Sequence, residues 1–285
     1  MVKNDLFAGE EMTLSPLIIA HRGDSFHAPE NTLAAFQMAL DAGADGVEFD
    51  VRLSKDGVPV VIHDADLRRT GRQSAKISEL TAEELRSVDV GSWFNKRFPE
   101  RCDPAFSKET VPTLAEVLKL LEQTSGPIYI ELKCGIKDYE TLAKAVCDVI
   151  CKSPQLPQMI VKSFKLAAIP VVRFNLPEVQ TAALFEPRIL DLVRSKKHII
   201  TIAKELGADQ LSVHTSLATR KFTTLTKAIG MPVTIWTADN EKWAGRCRER
   251  GLHRRSRAPR RASRGAAEAF GCWWGRSRAG RPRGS

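Results

Sequence analysis

The chain has 285 residues, of which 43% are hydrophobic and 27% charged. That length suits one large domain or two small ones, and the composition excludes a disordered, collagen-like or disulfide-scaffold chain as a whole. The net charge of +9 is confined to the end: Gly251–Ser285 holds ten Arg, no Lys and one Glu, which leaves 33 basic and 33 acidic side chains in the first 250 residues. A neutral body is not the footprint of a nucleic-acid-binding domain. The last segment also has no Val or Ile, one aliphatic side chain larger than Ala (Leu252) and six of the 18 glycines. It has too little apolar surface to offset its ordering entropy, so residues 1–250 read as the domain and 251–285 as a disordered basic tail. No apolar run reaches the roughly 20 residues needed to cross a bilayer. The N-terminal MVKNDLFAGEE has acids where an export signal needs bases. The six Cys contain no CxxC pair. Cys147 and Cys151, one helical turn apart, read as two buried thiols rather than half of a metal site, and a reducing, cytoplasmic setting is expected.

In chain order, Pro16–Ala20 (PLIIA) has the pattern of a buried strand, followed by a loop and a helix near Asn31–Ala42. Asp45–Val51 and Val58–His63 read as strands, and only SKDG separates the second from the extended stretch before it. That is too short for a helical crossover, so a hairpin centred between Lys55 and Asp56 is expected, with residue 48 opposite residue 63. A helix at Glu79–Ser87, an irregular Trp-, Phe- and Pro-rich stretch at Val90–Pro112 and a helix at Thr113–Gln123 follow. Then come a strand at Ile128–Leu132 and a helix at Tyr139–Cys151. Met159–Ser163, Val179–Phe185, Gln210–His214 and Val233–Thr237 are further strands with helical spacers between them. Strands alternating with helices predict parallel βα units. Seven or eight such units in ~240 residues predict a closed TIM-type (β/α)8 barrel rather than an open sheet. No GxGxxG follows the first strand, so a dinucleotide-binding sheet has little support.

A barrel of this kind carries its chemistry at the C-terminal ends of its strands. Polar residues gather at those positions: His21-Arg22-Gly23, Glu48-Phe49-Asp50, His63-Asp64, Glu131-Leu132-Lys133 and Trp236. Alternation puts Glu48 and Asp50 on one face with Phe49 on the other, and Glu131 and Lys133 on one face as well. Three carboxylates turned into a low-dielectric pocket require a divalent cation or raised pKa values. Oxygen-only ligation suits Mg²⁺ or Ca²⁺ over zinc. His21 and His63 each close an apolar strand near acidic residues, a pattern suited to a general acid and a general base. His214 also ends a strand and is a further candidate for the mouth. Arg22 offers a planar fork and Lys133 a point charge to an anionic oxygen. A cation, an Arg, a Lys and two His together suit a phosphate ester.

HRG at 21–23, PENT at 29–32, VEFDV at 47–51, KDG at 55–57, VVIHD at 60–64, ELK at 131–133 and TIWTADN at 234–240 resemble the glycerophosphodiester phosphodiesterase family in order and spacing. The resemblance spans residues 16–250 of the sequence. It implies a TIM-type barrel that hydrolyses glycerophosphodiesters to glycerol 3-phosphate and an alcohol such as choline or ethanolamine. It implies a divalent cation, Mg²⁺ or Ca²⁺, held by Glu48, Asp50 and Glu131, with His21 and His63 as the acid–base pair. Arg22 and Lys133 would hold the phosphate and Trp236 would line the glycerol pocket. The substrate's glycerol 2-hydroxyl would be the first nucleophile, through a cyclic phosphate that water then opens. Asn31 resembles the family's loop-to-helix position and reads as an N-cap that also orients the first loop. Ala65–Pro112 stands where the family carries a small insertion over the barrel mouth, and Trp93, Phe94 and Phe98 are expected to pack it or touch substrate.

The family pattern breaks after Trp243. Where a closing β-strand is expected, Gly251 is followed by LHRRSRAPRRASRG, which reads as a frame shift near Arg246–Leu252 that replaces the closing element with an Arg-rich tail. Two other functions fit the sequence. One is a related barrel phosphodiesterase acting on lysophospholipids, sphingomyelin or sugar phosphodiesters. The other is an inactive barrel whose tail binds nucleic acid or a membrane. The favoured expectation is a small glycerophosphodiester substrate, with no nucleic-acid partner and no membrane span; oligomeric state is left open.

Overall fold

The structure is a computed structural model that describes residues 16–188, 195–238, 241–250 and 253–256. The expectations drawn on residues 1–15 and on the Arg-rich run after Ser256 lie outside the described residues. The described strands are β1 (Ile18–His21), β2 (Gly46–Leu53), β3 (Pro59–Val61), β4 (Ile128–Leu132), β5 (Met159–Ser163), β6 (Gln180–Phe185), β7 (Gln210–His214), β8 (Val233–Trp236) and β9 (His253–Ser256). The described helices are α1 (Leu33–Asp41), α2 (Ala82–Arg86), α3 (Ser92–Arg97), α4 (Leu114–Leu120), α5 (Tyr139–Ile150), α6 (Ala168–Asn175), α7 (Lys196–Glu205), α8 (Arg220–Ala228) and α9 (Glu241–Arg250).

Eight strands pair in parallel around a ring, β1-β2-β4-β5-β6-β7-β8-β9 and back to β1, which is the expected TIM-type barrel. Strands such as MIVKS and IYIEL are buried on both faces, as parallel strands between a filled interior and a helical coat must be. Outside the ring, Phe49 stacks edge-on against Phe36 of α1 with ring centroids 5.5 Å apart. Val47, Val51, Ile130 and Val161 join it in the main core under α1, α4, α5 and α6. Inside the ring, Ile19, Tyr129, Ile160 and Ala182 form an apolar plug, and the Tyr129 hydroxyl meets Thr234 Oγ1 at 2.9 Å. Two residues further along three of those strands the same inward face carries His21, Glu131 and Lys162. The register therefore turns the interior from apolar to ionic as it approaches the C-terminal mouth.

Several expectations change. The hairpin pairs Val51 with Val61, Arg52 with Val60 and Leu53 with Pro59, one residue away from the expected register, so residue 63 does not face residue 48. Ser54 accepts from Val58 N–H at 2.9 Å and Gly57 takes φ 79°; a three-residue loop closed by a left-handed Gly sets the slip. β3 is no barrel strand: it pairs antiparallel with the second half of β2, on the edge whose first half is paired with β1. The Val90–Pro112 stretch is not wholly irregular, since α3 lies in it with 3-10 turns at Pro99–Arg101 and Pro104–Lys108. Cys147 is buried but Cys151 is exposed. The closing position is filled: the backbone of His253–Ser256 pairs in parallel with both β8 and β1, past the expected boundary at residue 250. Backbone pairing does not depend on side-chain type, and without β9 the edges of β1 and β8 would stand open. Among the described residues, no helix is long and apolar enough to cross a membrane.

Candidate active site

The first loop is strapped into place by an unusual backbone. Arg22 and Asn31 both take φ 60° and Gly23 takes φ 76°, left-handed conformations that non-glycine residues adopt only where surroundings hold them. Here the holding is explicit. Arg22 N–H donates to Glu48 O at 2.7 Å, and Arg22 O accepts from Asn31 N–H at 3.0 Å. Gly23 lies so close to α1 that a Cβ on it would come within 2.6 Å of Ala35. Asn31 is not the N-cap: Thr32 caps α1 by accepting from Ala35 N–H at 3.2 Å. The Asn31 amide instead faces inward and donates to Asp50 Oδ2 at 2.9 Å, so its orienting part of the expectation stands.

Glu48, Asp50 and Glu131 are fully buried and offer one oxygen each within 4.8 Å of the others. Three cations interleave with them. Lys133 Nζ lies 3.3 Å from Asp50 Oδ1 and in contact with Glu131 Oε1. Lys162, 1% exposed, donates to Glu48 Oε1 at 2.6 Å and lies 3.7 Å from Glu131 Oε2. Arg22 Nε sits 3.0 Å from Asp50 Oδ2. Three negative and three positive side chains thus balance, which is how so much charge is tolerated away from water. Burial by itself would raise the Asp50 carboxyl, but Arg22, Lys133 and His63 hold it far below the usual carboxylate range. Burial likewise opposes the Lys133 ammonium, and Asp50 and Glu131 more than compensate, raising it. His21 Nε2 approaches Glu48 Oε2 at 3.8 Å.

Two flanks border this centre. On one, His63 Nδ1 bonds Asp64 Oδ1 at 2.7 Å, and Arg69 Nε donates to Asp64 Oδ2 at 2.6 Å. Arg69 also donates to both oxygens of Glu30, which accepts from Arg22 Nη1 at 2.7 Å. The chain of contacts therefore runs from His63 back to Asp50. A cavity of about 350 Å³ opens here beside His63, Arg22, Arg69, Trp93 and Phe98. Phe94, by contrast, is buried against Phe106 and Phe98 and packs the insertion. On the other flank, Trp236 meets Phe164 and His214 edge-on, at 5.4 Å and 5.3 Å between centroids. Lys133 Nζ lies 5.8 Å from the Phe164 ring, and burial lowers the His214 imidazole below its ordinary value. His27 pairs instead with Asp24 at 2.9 Å.

The eight side chains expected to act as acid–base pair, phosphate and glycerol contacts or metal ligands lie at the mouth: His21, Arg22, Glu48, Asp50, Glu131 and Lys133 in the ionic centre, His63 and Trp236 on its flanks. Lys162 and Arg69 were not singled out in the sequence, and Glu30 and Asp64 were named there without a role. Lys162 had a readable signal, a lysine two positions after inward-facing Ile160 in an otherwise apolar strand. Glu30 and Asp64 stood inside quoted motifs; Arg69 had no local signal.

The model of the glycerophosphoryl diester phosphodiesterase family matches residues 21–254. The chain belongs to this family. Family members are phosphoric diester hydrolases, and the enzyme class expected from the sequence is theirs. A Bacillus subtilis (strain 168) protein, YhdW, named as a candidate member, is 34% identical over 236 residues, 82% of this chain and 91% of its own. A glycerophosphodiester phosphodiesterase of Caldanaerobacter subterraneus is 35% identical over 173 residues, 61% of this chain and 68% of its own. Among solved structures, an Oleispira antarctica phosphodiesterase in complex with the product sn-glycerol-3-phosphate aligns with a TM-score of 0.76 and 29% identity. The alignment covers 88% of this chain and 96% of that one.

Proposed function

We propose that this chain hydrolyses small glycerophosphodiesters to glycerol 3-phosphate and an alcohol, with a divalent cation, Mg²⁺ or Ca²⁺, held by Glu48, Asp50 and Glu131. One observation carries the reading: three buried carboxylates from two adjacent strands converge at a barrel mouth, with His21 3.8 Å from Glu48 and His63 lining the cavity alongside. The donor set fits the cation, being all oxygen, anionic and gathered within 4.8 Å, as hard divalent ions require. When bound, such a cation supplies polarisation of the phosphoryl oxygens.

The side chains supply the rest. Without a cation the centre is neutral, so its loading leaves a net positive well matched to an anionic diester. Arg22, anchored on Asp50 and Glu30, and Lys133 present donors to the non-bridging oxygens. His21 and His63 divide the proton transfers, one taking the proton of the attacking hydroxyl and the other protonating the leaving oxygen. Asp64 orients His63 through its Nδ1 contact, a carboxylate–imidazole pairing that fixes which ring nitrogen faces the reaction. Trp236 and Phe164 offer an apolar wall for the glycerol carbons.

The test is release of glycerol 3-phosphate from glycerophosphodiesters, with and without a chelator. Glu48→Gln and Asp50→Asn should each reduce the metal-dependent rate by at least about a hundredfold. Wild-type turnover in either, or turnover indifferent to chelator, removes the carboxylates from the reaction.

A further inference from the structure

We propose that the cavity beside His63 receives the alcohol half of the diester and selects hydroxyl-bearing head groups, glycerol or inositol, over quaternary-ammonium head groups such as choline. This rests on the phosphodiesterase reading above and specifies its substrate. In that reading the glycerol arm lies against Trp236, and the opposite recess is left for the other ester arm.

A trimethylammonium group is held by an available carboxylate, an open aromatic face, or both. The cavity contains residues of each kind, and cations of the protein already engage them. Glu30 Oε1 accepts from Arg22 Nη1 and Arg69 Nη2, each at 2.7 Å, and Glu30 Oε2 accepts from Arg69 Nη1 at 2.9 Å. Asp64 has one oxygen on His63 at 2.7 Å and the other on Arg69 Nε at 2.6 Å. Guanidiniums engage the rings as well. The Arg69 guanidinium lies over Trp93, 5.5 Å from its centroid, and Phe98 has Arg97 at 6.0 Å and Arg101 at 4.2 Å.

The chemistry left to a ligand is guanidinium N–H. Arg69 uses three of its five donors on Glu30 and Asp64, and Arg22 is the neighbouring fork. Such donors seek oxygen lone pairs. A polyol supplies several; a trimethylammonium group supplies none and adds a positive charge beside guanidiniums. The volume of about 350 Å³ accommodates a ring the size of inositol, so selection comes from hydrogen bonding rather than from size.

The experiment uses the full chain with saturating Mg²⁺ and measures kcat/KM for glycerophosphoglycerol, glycerophosphoinositol and glycerophosphocholine by glycerol 3-phosphate release. Both polyol diesters should exceed the choline diester by about tenfold, the worth of one well-placed polar or cation–ring contact. Arg69→Met uncovers Trp93 and releases two carboxylates, and should lower that ratio by at least about fivefold. A wild-type enzyme that uses the choline diester as well as the polyol diesters overturns the assignment. So does an active Arg69→Met variant with the wild-type ratio. If that variant does not fold, the wild-type ratio alone decides. Failure to release glycerol 3-phosphate from any of the three substrates sinks the phosphodiesterase reading itself, a result distinct from hydrolysis without discrimination.

Discussion

Lys162→Met isolates the charge balance of the centre. Lys162 is 1% exposed and bridges Glu48 and Glu131 at 2.6 and 3.7 Å. Methionine has nearly the same reach and volume, so packing changes little. What changes is charge: three buried carboxylates then face two cations. Removing one partner of a buried pair costs about 3–5 kcal/mol, because the remaining charge stays buried and uncompensated. For a domain of this size each kcal/mol moves the unfolding midpoint by about 2–4 °C. The variant should therefore melt roughly 6–20 °C below wild type in chelator. Added Mg²⁺ should restore more of the loss in the variant than it adds to wild type, since an ion that binds only the folded state stabilises it by mass action and no longer meets a resident ammonium. Thermal unfolding by circular dichroism, with EDTA and over a Mg²⁺ titration, reads both effects. A variant that melts within about 2 °C of wild type in EDTA, or an identical Mg²⁺ response in the two proteins, refutes the charge-balance reasoning.

His63→Ala should cut turnover by about a hundredfold or more while His27→Ala, whose imidazole pairs with Asp24, leaves it nearly intact; equal losses remove His63 from the chemistry. Gly23→Ala combines a left-handed φ of 76° with a Cβ within 2.6 Å of Ala35, and should cost roughly 2–4 kcal/mol in denaturant unfolding. Gly57→Ala is the control: φ is 79° but no atom beyond the adjoining residues lies within 4 Å of the added Cβ, so about 1 kcal/mol is expected. Acid sensitivity follows from Glu30 and Asp64. At Glu30 burial acts to raise the carboxyl, but Arg22 and Arg69 win and hold it down; at Asp64 the His63 hydrogen bond leads, with Arg69 adding to it. Depressed carboxyls contribute stability above the unfolded pKa of about 4 that is lost as pH falls below it. Unfolding midpoints at pH 5, 4 and 3 should fall more steeply for wild type than for Arg69→Met, and parallel curves would contradict this linkage.

The amino-acid sequence by itself determined the barrel and most of the centre. Alternating βα units, the shared face of Glu48 and Asp50, and the polar residues at strand ends are local, period-two properties that need no knowledge of neighbours. The tertiary structure decided what depends on strands meeting. Lys162 and Glu48 are 114 positions apart, and only the register of β2, β4 and β5 brings them together. Arg69 joins His63 to Arg22 from an insertion whose packing has no periodic signal. The hairpin slipped by one residue because its turn chemistry, not strand length, fixes pairing. The segment His253–Ser256 closes the ring through backbone hydrogen bonds that its arginines and histidine do not advertise, since ladder formation draws on peptide groups every residue shares.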